Sequence, residues 1–495
     1  MKRFAILLSA LLLAACTASQ VSSPILTVEG GQVQGVATDI PGITVFRGIP
    51  YAAPPIGPLR WKEPQPVEPW DGVKLCDRFG HPGYQAVHYP GGYYTEWGYG
   101  EEAQCSEDCL YLNVWTPAAG KTGEKLPVAY WIHGGGYREG WGSEPEFDGQ
   151  EFANKGVVLV SINYRLGVFG FLAHPELAAE SPHGVSGNYG ILDMIQGLKW
   201  VKENIEQFGG DPDNVMIFGQ SAGGGAVRTL VESPLARGLF HRAVIMSAGG
   251  LGNGRVYFPP QSLEEIQNAN KTILDWAGLT DLEKMRAAGT ETIYALSAIY
   301  AGANGLPAGG LFGRGPSLTG APIVDGYVCL KSFDEAARDG SLADVPYMIG
   351  FTKDDMGDMT DGLAAFCLNR EEKGGKAWAY QFARPLPDDG SQKVYVLKGA
   401  FHSSDLWYVF KSLKHCWRPW TKGDWDLAEK EITCWANFAK YGDPNGPDGG
   451  DWTPYTKETP KFMIFKLDEA DAEASGMGDP VPGESFAWPP RPPKE

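Results

Sequence analysis

Val215-Met216-Ile217-Phe218-Gly219-Gln220-Ser221-Ala222-Gly223-Gly224-Gly225 decides how the chain reads. Four apolar residues end abruptly in a serine set among glycines. By itself Gly-x-Ser-x-Gly says little. With 65 glycines in 495 residues, chance supplies roughly one such match in every two chains. The context is what counts. An apolar strand precedes the serine, and a helix-like stretch, Ala226 to Glu232, follows it. Strand, sharp turn and helix together make a nucleophile elbow, where strand and helix pass too closely for side chains at the flanking positions.

The surrounding pattern agrees. Leu126 to Ile132 is an apolar run that stops at His133-Gly134-Gly135-Gly136, and Val157 to Val160 is a second buried-strand candidate. Between that strand and Ser221, the residues Ile191, Ile195, Leu198, Val201 and Ile205 recur at helical steps of three and four. Asn188 is the expected N-cap, and Gly209-Gly210 the expected stop. Strand, helix, strand in this order predicts a parallel α/β sheet. A late helix is expected over Asp426 to Tyr441, closed by Gly442 and Pro444.

A serine hydroxyl needs a base, and in this type of fold the chain order is serine, acid, histidine. Only His241, His402 and His415 follow Ser221. His241 comes too early to leave room for the acid, and His415 sits in no special turn. His402 lies in the loop Gly399 to Ser404, ahead of an expected helix over Asp405 to Leu413. His402 is therefore the expected base. The acid should follow a strand between them. Val345 to Phe351 reads as that strand and runs into Lys353-Asp354-Asp355, so Asp354 and Asp355 are both candidates. The bare backbone of Gly134 to Gly136, with the N–H of Ala222, offers donors for an oxyanion. Each such donor is worth about 10²–10³ in rate. His133 precedes the serine and is expected to pack its loop.

With these residues in place the chain resembles the type-B carboxylesterases, the family that includes the cholinesterases. The likeness runs from about Val28 to Lys466. It includes Phe208-Gly209-Gly210 with the elbow, Glu107-Asp108-Cys109-Leu110-Tyr111-Leu112-Asn113-Val114-Trp115, Phe46-Arg47-Gly48-Ile49-Pro50-Tyr51-Ala52, Asn163-Tyr164-Arg165-Leu166-Gly167, Pro322-Ile323-Val324-Asp325-Gly326 and Asn437-Phe438-Ala439-Lys440. The resemblance implies an α/β-hydrolase fold, a mostly parallel central sheet flanked by helices, and hydrolysis of carboxylic esters through an acyl-enzyme. It implies Ser221 as nucleophile, His402 as base, and Gly135, Gly136 and Ala222 as oxyanion hole. Gly350-Phe351-Thr352-Lys353-Asp354-Asp355-Met356 is similar to the family's acid segment, which implies Asp355 as the acid, an aspartate where glutamate is usual. Asp355 and His402 are only 47 positions apart, so a reduced helical insertion and a more open cleft are expected. The likeness also implies a disulfide partner for Cys109, with Cys76 or Cys105 standing in for a displaced cysteine. Of the aromatic residues between 84 and 100, Tyr94 and Trp97 are candidates to line the cleft mouth. Two other readings remain open: a non-catalytic adhesion module, and an amidase or peptidase of the same fold.

The N-terminus reads as an export signal. Lys2 and Arg3 precede an apolar stretch from Ala5 to Leu13. Leu13-Ala14-Ala15-Cys16 resembles a bacterial lipobox, which implies cleavage before Cys16 and lipid on its thiol. The expected organisation is a lipoprotein-type signal peptide over 1–15, a tether over 16–24 and one catalytic domain over 25–495. The expected place is outside the cytoplasm, on a bacterial membrane through the lipid alone, or free as a secreted or periplasmic enzyme. The net charge of −18 argues against nucleic acid as a partner. The expected partner is a small-molecule ester. No metal or organic cofactor is implied, and Cys105 and Cys109 lack the second cluster a structural metal site needs.

Overall fold

Alternate residues of the central strands enter two different cores. In a computed structural model describing residues 23–86, 92–96, 104–252, 262–307, 315–318, 320–393, 395–468 and 474–484, Val128, Tyr130 and Ile132 join one apolar cluster, while Ala129 and Trp131 join another. The same alternation runs through Val158 to Ile162 and Val215 to Phe218. A period of two sends neighbouring side chains to opposite faces, so an unbroken apolar run marks a strand covered on both sides.

The strands are β1 (Ile25–Val28), β2 (Gly31–Gln34), β3 (Val36–Ala37), β4 (Thr44–Pro50), β5 (Val73–Leu75), β6 (Tyr111–Thr116) and β7 (Leu126–Ile132). They continue as β8 (Val158–Ile162), β9 (Gly210–Gln220), β10 (Arg242–Met246), β11 (Tyr347–Thr352), β12 (Ala377–Phe382), β13 (Phe462–Phe465) and β14 (Gly476–Gly478). β1, β2 and β5 form a small sheet. The other eleven form one sheet in the order β3-β4-β6-β8-β7-β9-β10-β11-β12-β13-β14. From β8 to β13 every pairing is parallel, and the edges are antiparallel. After β7 the chain goes to one side, into β8; it then returns to the other side of β7, into β9. Such a switch point opens a crevice at the carboxyl ends of its strands. The turn after β7 and the turn after β9 both face it.

The helix Tyr189–Asn204 lies on the first core and the helix Lys422–Tyr441 on the second. Ile191, Ile195, Leu198 and Val201 are all buried as their spacing predicts, each contributing about 1.5–3 kcal/mol. Asn188 holds the N-cap position, but its side chain does not cap. It donates to Ile323 O (2.8 Å) and Asp325 Oδ2 (2.9 Å) and accepts from Ile323 N (2.9 Å), tying the 322–326 segment to the start of this helix. The long helix starts at Lys422 rather than Asp426, because Thr421 and Asp424 form a capping box. Among the described residues between Asp355 and His402 stand one helix, Thr360–Glu372, and β12.

Two further expectations are not met. The helix expected over Asp405 to Leu413 shrinks to Leu406–Val409, because Lys411 takes a φ of 50° and breaks the run. The disulfide to Cys109 is not formed: no sulfur–sulfur bond joins it to Cys76 or Cys105. Cys109 is buried in the first core, and the Cys76 thiol is bonded to Lys74 O (3.8 Å). Burial pushes the Cys76 thiol up to about 12, which keeps it protonated and unreactive.

Candidate active site

Ser221 follows the last residue of β9 and precedes the helix Ala222–Glu232. Its backbone sits at φ 57°, ψ −123°, a strained conformation that costs about 1–3 kcal/mol. Ser221 N donates to Met246 O (2.9 Å) and Gly225 N donates to Ser221 O (2.9 Å), which hold the bend. A serine at a helix N-cap usually spends its hydroxyl on the first turn. Here the twist prevents that, and Ser221 Oγ caps nothing. A Cβ on Gly223 would stand 2.0 Å from Ile132 O, so the helix start lies flush against the end of β7. That contact explains why glycine follows the serine at this spacing.

The neighbouring turn is built as tightly. Gly135 has φ +93°, and a Cβ there would meet Glu139 O at 2.0 Å. Gly140 N donates to Gln85 Oε1 (2.8 Å), Trp141 N to Glu144 Oε1 (2.8 Å) and Gly142 N to Asn163 Oδ1 (2.8 Å). Among the described residues, no backbone carbonyl accepts from the N–H of Gly135, Gly136 or Ala222. His133 is stacked on Tyr164, with ring centroids 4.4 Å apart. Its Nδ1 donates to Gly134 O (2.9 Å), and burial pushes its pKa down to about 3. It is a neutral packing residue, as expected.

Of the later histidines, His241 Nδ1 accepts from Val215 N (3.1 Å) and His415 pairs with Asp148 (2.9 Å). His402 alone reaches Ser221's side of the molecule. Its Nδ1 lies 2.6 Å from Asp355 Oδ1. Asp355 also accepts from Met356 N (2.7 Å), Thr352 Oγ1 (2.9 Å) and Thr352 N (3.2 Å). Burial opposes its charge, but His402, Ser247 and these donors outweigh it, so the carboxyl stays below its usual pKa. Asp354 does different work. Its oxygens accept from Ala400 N (2.8 Å) and Glu484 N (3.0 Å), which fastens the loop carrying His402.

Ser221, His402, Gly136 and Ala222 line one cavity of about 180 Å³, with Tyr137 and Met356 at its walls. Gly135 belongs to the same turn. With Nδ1–H given to Asp355, His402 Nε2 is an acceptor, and the amide nitrogen of Gln220 lies 3.2 Å from it. Among the described residues no hydrogen bond joins the ring to Ser221 Oγ. Such bonds often tighten only when substrate binds. Sequence reasoning missed Gln220, although it adjoins the serine: its contact to a ring 182 positions away exists only in space.

Tyr84 packs edge-on against Phe169 (5.8 Å) and Tyr294 (5.4 Å), and Tyr93 against Phe401 (6.1 Å). These rings secure the body. The side chain of Tyr94, all of Trp97, and Cys16 lie outside the described residues.

The sequence profile of the carboxylesterase family matches residues 22–366 and 359–477. The chain belongs to the carboxylesterase family. This carboxylesterase is 40% identical to the fumonisin B1 esterase of Sphingopyxis macrogoltabida over 393 residues, 77% of this chain and 67% of that one. It is 30% identical to the para-nitrobenzyl esterase of Bacillus subtilis (strain 168) over 519 residues, 92% of this chain and 96% of that protein. The solved carboxylesterase EST55 of Geobacillus stearothermophilus superposes with a TM-score of 0.73 at 30% identity, covering 92% of this chain and 97% of that one. The carboxylesterase thus has the α/β-hydrolase fold, and its reaction is the hydrolysis of carboxylic esters.

Proposed function

We propose that this esterase works through Ser221, His402 and Asp355, with the N–H groups of Gly135, Gly136 and Ala222 holding the oxyanion. One observation carries the reading. A serine whose hydroxyl is withheld from helix capping opens on the same cavity as a histidine anchored to a buried carboxylate at 2.6 Å. Substrate entry moves the Gln220 amide off Nε2, and the ring then accepts the Ser221 proton. The serine oxygen attacks the acyl carbon, and the carbonyl oxygen takes the charge beneath the backbone donors. The alcohol departs with the proton from His402, and water activated by the same ring frees the acid. Asp355 holds the tautomer throughout.

The test is covalent. A serine-reactive organophosphate is expected to leave one adduct, on Ser221, and to abolish ester turnover in proportion to labelling. Turnover that persists in fully labelled enzyme overturns the assignment. An adhesion module would take up no label.

The relatives named for fumonisin B1 and para-nitrobenzyl esters favour small organic esters over peptides as substrates. The lipobox-like Leu13-Ala14-Ala15-Cys16 favours an exported enzyme held to a bacterial membrane through Cys16. The mass of the mature N-terminal peptide tests this. Diacylglycerol on Cys16 is the expected result, and an unmodified thiol counts against it.

A further inference from the structure

The cavity beside Ser221 contains a cation the chemistry above does not use. Arg228 lies on the helix Ala222–Glu232, seven residues after the serine, and lines the same cavity. It is only 9% exposed. Its guanidinium lies 4.4 Å over the Phe333 ring, and Nη1 donates to Ala248 O and Gly249 O. Nη2 forms an ion pair with Asp334 Oδ1 at 3.6 Å, too long for a hydrogen bond. Among the described residues, the donors on Nε and Nη2 have no hydrogen-bond acceptor. Guanidinium carries five N–H donors in a planar fork, and buried donors left without acceptors are costly.

The other charged groups of the cavity narrow what fits. Lys331 also lines it, but its ammonium pairs outside with Asp339 at 2.6 Å. Glu232, one turn beyond Arg228, has Oε1 held by Leu330 N (2.7 Å) and Lys331 N (2.9 Å). Glu232 on the cavity wall, with Asp334 already paired to Arg228, would repel a dianion. A single carboxylate matches the two N–H positions of the guanidinium that have no hydrogen-bond acceptor.

We propose that this cavity is a carboxylate subsite: the preferred substrate is an ester that carries a free carboxylate a few bonds from the scissile carbonyl, bound by Arg228. The inference rests on the ester-hydrolase reading of Ser221 and deepens it. A planar carboxylate takes two parallel N–H bonds from the open side of the fork, and Phe333 holds the fork flat. Seven helical residues span about 10 Å, and the arginine reaches back along its helix towards Ala248. That leaves space for a short diacid, while Glu232 bars a longer one.

The purified enzyme is tested on monobenzyl glutarate and on benzyl hexanoate, a neutral ester of similar size, with benzyl alcohol release as the common readout. Wild type is expected to favour the anionic ester. Arg228→Gln is expected to lower kcat/KM on monobenzyl glutarate about 10- to 100-fold, mostly through KM, and to leave benzyl hexanoate within about threefold. Arg228→Lys should restore part of the loss, since a point charge replaces the fork. Equal losses on both esters would mean that Arg228 merely clamps residues 248 and 249, and would overturn the proposal. So would a wild-type enzyme without preference for the anionic ester. A second measurement needs no variant. Glutaramate, which carries a single carboxylate, should inhibit benzyl hexanoate turnover competitively, at a concentration at least about tenfold below glutaramide; equal inhibition overturns the subsite. Turnover of benzyl hexanoate alone refutes the subsite and spares the esterase reading. No turnover of either ester, with Ser221 unlabelled by organophosphate, refutes both.

Discussion

Asp355→Asn is expected to lower kcat about 10⁴-fold, while Asp354→Asn leaves it within about threefold. The two residues are adjacent in sequence, yet their surroundings separate them. Asp355 Oδ1 takes the Nδ1 proton of His402 at 2.6 Å, and Oδ2 is fixed by Thr352. An asparagine there turns an amide N–H towards Nδ1 and forces the proton onto Nε2. Nε2 then has no lone pair for the Ser221 proton. Gln220 reinforces the error: its amide lies 3.2 Å from Nε2 and, once flipped, offers its oxygen to the misplaced proton. Asp354 instead accepts from two backbone N–H groups. Its asparagine variant keeps one acceptor, so the expected cost is about 1 kcal/mol of stability, read from the urea midpoint. Equal losses of kcat in both variants would refute the separation of roles. The pH profile follows from the same contacts. Burial opposes the Asp355 charge, but His402 and the surrounding donors hold its pKa below the usual carboxylate value. A depressed folded pKa stabilises the protein above the unfolded value, about 3.9, and that contribution fades as pH falls through the folded one. Across pH 5–8 the carboxylate therefore stays charged, and loss of its charge is not expected to limit kcat/KM in that range.

What sequence could reveal depended on whether the cause was local. The run Leu126 to Ile132 became β7 without adjustment, since an apolar stretch of that length between turns has few alternatives. The glycines around Ser221 were legible because a steric limit dictates them, and the Gly223 contact with Ile132 O is that limit. The chain order of serine, acid and histidine singled out His402, because the parallel sheet brings strand ends to one edge. Choosing Asp355 over Asp354 depended on family likeness, since only the turn after β11 decides which carboxylate faces the ring. The wider polar scaffold was hidden. Asn188 looked like a cap but holds the 322–326 segment, and Asn163 supports the glycine turn from another strand's end. Arg228 lies in the helix-like stretch Ala226 to Glu232, and its place beside Phe333 and Ser221 on one cavity exists only in space. Each of these roles is created by a contact between distant segments, and single-chain periodicity carries no trace of it.

Ser221→Ala is expected to lower kcat about 10⁵–10⁶-fold with KM little changed. The alanine removes the attacking atom and leaves the backbone donors and Arg228 untouched, so substrate still binds. A residual rate above water would come from those donors. The variant's stability is the sharper measurement. Ser221 Oγ caps no helix N–H, so its removal is expected to shift the urea midpoint by less than about 1 kcal/mol. Ser221→Gly is expected to be equally inactive but more stable than wild type, because glycine accepts φ 57°, ψ −123° without the strain of a Cβ. The gain should be about 1–3 kcal/mol, reduced by glycine's freedom in the unfolded chain. Serine at this position would then oppose folding, and on the proposed reading a reactive hydroxyl at the switch point is what the strain sustains. An alanine variant with full turnover would remove Ser221 from the chemistry. A glycine variant no more stable than wild type would remove the strain.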